Sequence, residues 1–255
     1  MVIDGKKIAN QILAAVKKQT TRYSPTLAIV QIGHRPDSDI YIRQKIRSAV
    51  QAGITTKQFH CQLRSSQLAV VQLLKKLSLD PTIDGILLQL PVPSHLDTKQ
   101  LIQAIDPKKD VDGFHPDSKK ISPLIQAIER CLLAGKKKSG QVVLLGHHSI
   151  FTHSLTERLV KKGFTVSEYS AERTIPPQTK KADVVITVRG RGPRLLPRHL
   201  KKGSVVIDGG IRRFEERVSG DADASIADVV SAFTPVPGGV GPLTVAYALK
   251  NVGIK

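Results

Sequence analysis

The chain has 255 residues, 40% of them apolar, which suits one large domain or two modest ones with real cores. Lys and Arg total 39 against 21 acids, a formal charge of +18 spread as lysine pairs along the chain, which favours a cationic solvated surface over one nucleic-acid groove. No apolar run reaches the length of a membrane span, the start carries no signal-peptide pattern, and Cys61 and Cys131 form no metal or redox spacing, so a soluble protein of a reducing cytoplasm is expected.

Apolar positions Ile8, Ile12, Leu13, Ala15 and Val16 predict a helix over 4–19. Leu27 to Ile32 is a short apolar run closed by Gly33, typical of a buried parallel strand. Pro36-Asp37-Ser38 reads as a turn ending in an N-cap, with a helix from Ser38 to Gly53. A strand over 55–62 follows, then a helix over 67–79 with Leu68, Val71, Leu74 and Leu77 on one side. Gly85 to Leu90 is a further buried strand, and 98–105 a short helix. This alternation implies a parallel sheet covered by helices.

A second α/β block begins near residue 121. Helix 124–133 leads through a lysine-rich stretch, Gly135 to Ser139, the nearest thing to a linker. Strand 141–145, tight Gly146 and helix 149–162 open a Rossmann-like unit. Strands follow over 164–168, 183–187 and 204–208, and a closing helix over 243–252. The expected fold is α/β: two α/β domains around a cleft, the second Rossmann-like. Residues 1–120 with 240–255 form one domain and 121–239 the other.

Four features bear on chemistry. Tyr41 and Lys45 share one helical face; on spacing alone a packed ring and a solvated charge is the commoner reading. Gln89 closes an apolar strand beside a Pro turn, where it either holds a partner or caps backbone. Asp110-Val-Asp-Gly113 is an acidic turn, as readily an Asx turn as a ligand site. In Thr234-Pro-Val-Pro-Gly-Gly-Val-Gly-Pro242, three Gly between three Pro favour close approach of backbone to a ligand.

Taken in order, Tyr41-x-x-x-Lys45, Gly85-Ile-Leu-Leu-Gln-Leu-Pro-Val-Pro93, Lys109-Asp-Val-Asp-Gly-Phe-His-Pro116, Val206-Ile-Asp-Gly-Gly-Ile211, Gly220-Asp-Ala-Asp223 and the 234–244 loop resemble the bifunctional methylenetetrahydrofolate dehydrogenase/methenyltetrahydrofolate cyclohydrolase (FolD) family. The resemblance covers essentially the whole chain. It implies a catalytic Lys45, tuned by Gln89 and positioned by Tyr41, which also stacks on the pterin. It implies that Asp112 binds the pterin's amino and ring nitrogens, and that Pro237, Gly238 and Gly239 line a folate cleft between the domains. A tetrahydrofolate derivative is the implied substrate, NADP (or NAD) the implied cofactor, and a homodimer the implied assembly; neither a membrane nor a nucleic acid is an expected partner.

The second domain departs from the family. Its phosphate loop usually reads Gly-Arg-Ser-x-x-Val-Gly-x-Pro; here Gly146 survives, His147 and His148 replace Arg and Ser, Thr152 replaces the second Gly, and Ser154 the Pro. Cofactor contacts are expected from Gly146, His147, His148, Arg173, Gly190 and Ile211. Arg189 and Arg191, flanking Gly190, are either phosphate contacts or surface charge. His147, His148 and His153 are awkwardly spaced for zinc, with no carboxylate or Cys beside them, and no metal is expected. Two alternatives stand beside a bifunctional enzyme: a cyclohydrolase alone with a degenerate cofactor site, and a non-catalytic folate- or RNA-binding protein on this fold.

Overall fold

Short runs of aliphatic residues ending in Gly become parallel strands because both their faces can be buried under helices. A computed structural model describes residues 1–34, 36–147, 149–214 and 217–253. The chain divides into two compact units: Ala9–Pro123 with Thr244–Lys255, and Met1–Ile8 with Leu124–Leu243. The first eight residues thus belong with the second block, unlike the division expected from sequence. Ile3 N donates to Phe233 O at 2.8 Å, and the amino terminus to Ser231 O.

The first unit is a three-stranded parallel sheet, order β2-β1-β3, from β1 (Thr26–Ile32), β2 (Thr55–Cys61) and β3 (Gly85–Leu88). Around it run α1 (Gly5–Gln19), α2 (Pro36–Gln51), α3 (Gln67–Leu79) and α4 (Thr98–Gln103). α2 starts two residues before the expected cap, so Ser38 lies inside the helix; a proline's fixed φ suits a first helical turn. In α3 the buried residues are Val70, Leu74 and Leu77, whereas Leu68 is exposed. They pack with Ala28, Val30, Ile86 and Leu88 into one aliphatic core. Gln31, buried in β1, donates to Asp39 at 2.7 Å and fastens the first turns of α2 to the sheet.

In the second unit, five parallel strands run in the order β10-β7-β6-β4-β5: β4 (Gly140–Leu145), β5 (Phe164–Tyr169), β6 (Val184–Thr187), β7 (Val205–Asp208) and β10 (Ala232–Phe233). The chain passes from β4 through α6 (Ile150–Lys161) to β5, then crosses back to β6, so the order reverses at β4, as in a Rossmann unit. A hairpin of β8 (Arg212–Phe214) and β9 (Arg217–Ser219) follows β7. Neither it nor two-residue β10 was expected, since strands so short carry no periodic signal. Helices α5 (Pro123–Ala134) and α7 (Val240–Lys250) complete the chain. The lysine-rich stretch 135–139 is the turn from α5 into β4, inside this unit rather than a linker between units.

Leu74 is fully buried in the first core. Leu74→Ala is expected to lower unfolding free energy by about 2–5 kcal/mol, read as a lower denaturant midpoint at unchanged slope.

Candidate active site

β3 runs into the segment that carries the first unit's polar groups. Ile86 N donates to Lys109 O at 2.7 Å and Val111 N to Ile86 O at 3.3 Å, so residues 109–111 lie beside β3 as a short parallel extension. The next residues fold back on Asp110. Its Oδ1 accepts from Asp112 N and Gly113 N, both at 3.1 Å, and its Oδ2 from His115 N at 2.8 Å. Asp110 is therefore the carboxylate that builds the turn, which leaves the side chain of Asp112 for other work. Gly113 has φ +66°, and an added Cβ would lie 2.5 Å from Lys120 O, so only glycine fits. From the closing helix end, Asn251 donates to Val111 O at 2.9 Å and Ile121 O at 3.0 Å, clamping both arms.

Lys45 meets this region from α2, one helical turn after Tyr41. Its Nζ donates to Gln89 Oε1 at 2.9 Å. Gln89 Nε2 donates to Leu90 O at 2.6 Å, so the amide is oriented with its oxygen toward the ammonium. Burial lowers the Lys45 pKa from its ordinary value, and the negative charge of Asp112 partly restores it. Asp112 is pushed up to about 6: burial dominates, Lys45 opposes it and Asp110 adds to it. A lysine and a carboxyl that both titrate nearer neutrality than in water suit proton transfer at pH 7.

The second unit gathers residues beyond the carboxyl ends of its strands. Gly146 ends β4; a Cβ there would lie 3.0 Å from Thr152 Cγ2 and 3.1 Å from Val188 Cγ2. Thr152, where the family has Gly, is buried and turned inward: Ser149 Oγ accepts from Thr152 N at 3.3 Å, and Thr152 Oγ1 accepts from Ser149 N at 3.0 Å. This reciprocal cap closes the N-terminus of α6. His147 Nδ1 lies 3.1 Å from Glu172 Oε1, and Arg191 Nε donates to His147 Nε2 at 2.9 Å. Both ring nitrogens of His147 are thus engaged by side chains of the chain itself. His148 lies outside the described residues. His153 Nε2 faces Glu157 at 3.4 Å.

Gly190 (φ +67°) and Ile211 come together: a Cβ at Gly190 would lie 2.9 Å from Ile211 O. Gly190 is held by Asp221, which sequence reasoning did not single out and which also binds the side chain of Arg212, next to Ile211. Its buried carboxylate accepts from Thr187 Oγ1 at 2.6 Å, from the N–H groups of Arg189 and Gly190, and from Arg212. Arg189 is buried, donating to Ala171 O at 2.8 Å and Pro193 O at 2.9 Å, so it is neither surface charge nor a phosphate contact. Arg173 lies apart, on a cleft of about 370 Å³ beyond β5, lined by residues 169–174 and Pro176. Gly146 follows β4, the strand at which the order reverses, and the cleft lies at the end of its neighbour β5.

The Pro/Gly loop is shaped by its own chain. Lys6 N donates to Gly238 O at 3.1 Å, a Cβ on Gly5 would overlap Gly239 O, and one on Gly239 would lie 2.6 Å from Pro235 O. Gly5 is thus the residue whose missing Cβ lets the loop lie against the start of the chain, while Gly239 makes room for Pro235 and Thr234.

Two α/β units, one of them Rossmann-wound with a glycine turn at its reversal point, define a nucleotide-dependent class of fold. Residues 3–112 match the catalytic domain of tetrahydrofolate dehydrogenase/cyclohydrolase and residues 124–254 its NAD(P)-binding domain; the chain belongs to the tetrahydrofolate dehydrogenase/cyclohydrolase family. It is 37% identical over 275 residues to bifunctional protein FolD 2 of Pseudomonas syringae, covering 98% of this chain and 91% of that protein. The FolD protein of Lachnoclostridium phytofermentans is 35% identical, with coverage of 98% and 96%. The crystal structure of the Campylobacter jejuni enzyme superposes with a TM-score of 0.90 at 28% identity, covering 99% of this chain and 96% of that one. The Trypanosoma brucei enzyme, complexed with NADP cofactor and an inhibitor, gives 0.89 at 26% identity, covering 99% and 95%.

The raised pKa of Asp112 has a thermodynamic consequence. With a folded value of about 6 against an ordinary 3.8, the folded state favours the protonated carboxyl. The stability it contributes is present below about pH 3.8 and lost as pH rises through about 6. Asp112→Asn is expected to stabilise the protein by about 1–2 kcal/mol at pH 7.5 and to leave it unchanged at pH 4, measured by chemical unfolding at both pH values.

Proposed function

We propose that this chain interconverts 5,10-methylene-, 5,10-methenyl- and 10-formyltetrahydrofolate, by NAD(P)-dependent oxidation and by hydrolysis of the methenyl bridge. The observation that carries the reading is the Lys45–Gln89 hydrogen bond beside Asp112, in a chain of this family. In the hydrolytic step water attacks the methenyl carbon and gives up a proton, and a bridging nitrogen must gain one as its bond to carbon breaks. The neutral amine of Lys45 takes one proton from water as the C–O bond forms, and the resulting ammonium gives it to the nitrogen as the C–N bond breaks; the hydroxyl proton of the adduct leaves to solvent as the formyl C=O forms. The Gln89 oxygen accepts from the ammonium and aims it. Asp112 accepts from the pterin's amino and ring N–H groups, and Tyr41 stacks on the ring and positions Lys45.

The nicotinamide, when bound, supplies the acceptor for hydride in the oxidative step. Gly146, Gly190 and Ile211 are the residues of this chain proposed to hold NADP or NAD, with Arg173 beside the cleft. We further place the protein in the cytoplasm, as a homodimer; two free cysteines, one of them buried, suit a reducing compartment. The 10-formyl product is a one-carbon donor of the kind that purine synthesis consumes. Among the described residues no helix is long and apolar enough to cross a membrane.

Purified protein should decay methenyltetrahydrofolate above the buffer rate, and should form reduced cofactor from methylenetetrahydrofolate with NADP or NAD. Lys45→Ala should slow methenyl decay by at least about 100-fold. Absence of both activities, with Lys45→Ala indistinguishable from wild type, would overturn the reading. Gln89→Met removes an acceptor that favours the ammonium, so the Lys45 pKa should fall further. The limb of the cyclohydrolase pH profile governed by Lys45 should then move to lower pH, visible in the pH dependence of kcat/KM.

A further inference from the structure

In a Rossmann-wound sheet, the strand beside the glycine turn ends where the adenosine ribose of a dinucleotide lies. The side chain there discriminates: a carboxylate accepts from the ribose hydroxyls, whereas an arginine meets a 2′-phosphate. In this chain the corresponding place, at the end of β5, is occupied by a mixed cluster. Glu172 Oε1 accepts from Arg191 Nη2 at 3.1 Å and faces Nδ1 of His147 at the same distance. Arg191 also donates through Nε to His147 Nε2 at 2.9 Å. Arginine has no lone pair to offer, so this bond fixes the histidine tautomer. Both ring nitrogens of His147 are thereby spent within the cluster, and the fork formed by His147 and Arg191 already holds an anion, the Glu172 carboxylate.

Glu172 also lines the cleft beyond β5, next to Arg173. A 2′-phosphate brings a charge of about −1.5 to −2, which must either displace Glu172 from the fork or settle beside it. A ribose diol brings no charge and finds a ready acceptor. We infer that Glu172 sets the choice between NAD and NADP in this chain, its carboxylate serving the ribose diol while opposing capture of the 2′-phosphate. This rests on the proposed NAD(P) reading of the second unit. Arg191 acts through Glu172 by holding it in place. With Glu172 54% and Arg191 67% exposed, solvent screens much of the repulsion, so an effect of about tenfold rather than thousandfold is expected.

The test is direct binding by the full chain, followed by fluorescence of NADH and NADPH on titration with protein, with no folate present. Glu172→Gln keeps the shape and removes the charge. It should tighten NADPH about tenfold and leave NADH within about twofold. Arg191→Gln releases the carboxylate from its partner and removes a cation, so the NADPH-to-NADH affinity ratio should move the other way. Circular dichroism and the thermal midpoint establish that each variant is folded. If both cofactors bind but Glu172→Gln leaves the ratio unchanged, the inference is overturned while the NAD(P) reading stands. If the wild type binds neither cofactor, both fall, and methenyl decay in the same preparation shows whether the cyclohydrolase reading survives. If Glu172→Gln does not fold, an unchanged ratio in folded Arg191→Gln likewise overturns the inference.

Discussion

The Lys45 ammonium is held against the Gln89 oxygen at 2.9 Å in a setting that disfavours its charge. Water would solvate that charge better, so the surrounding structure must impose the position. Three restraints converge on it. Gln31 fastens α2 to β1 through Asp39. Gln89 cannot turn its oxygen away without abandoning the Leu90 carbonyl. Asp110 spends its carboxylate on three backbone N–H groups, which presents Asp112 rather than itself to the lysine. An aliphatic core of fully buried residues such as Leu74 and Ile86 supplies the stability against which this electrostatic cost is set.

In the second unit Asp221 has the comparable role. Its carboxylate is completely buried and compensated by two arginines, a hydroxyl and backbone N–H groups. A buried charge so fully paired contributes more to fixing loop geometry than to net stability. What it fixes are the segments after β6 and β7, including Gly190 and, through Arg212, the residue that follows Ile211. Removing one partner would leave charge stranded in the interior, which couples the arginines on both loops to a single acid.

Much of this was legible in the chain. The aliphatic runs at Leu27, Gly85, Gln141 and Ser204 announce parallel strands because their burial on two faces leaves no alternation. Tyr41, Lys45, Gln89 and Asp112 stand in motifs whose order carries the family. The rest was hidden for physical reasons. Which aspartate of Asp110-Val-Asp112 builds the turn depends on backbone geometry, not on residue type. Arg189 and Arg191 sit two apart in a loop, yet one is buried on Asp221 and the other pairs with Glu172, a distinction that needs partners distant in sequence. That Gly5 lies against the backbone of residues 238 and 239 could not be read from the Pro/Gly loop alone, because the two stretches are more than 230 positions apart.

The cap between Ser149 and Thr152 bears on how the second unit meets a small molecule. Many loops at helix N-termini gain their order from the anion they bind, so part of the binding energy goes into freezing them. Here the first turn of α6 is completed by two hydroxyls of the chain itself, and a buried methyl of Thr152 packs on Gly146. The first turn of α6 is thus completed by the chain itself. A ligand that meets this helix end therefore need not supply the energy that orders its first turn.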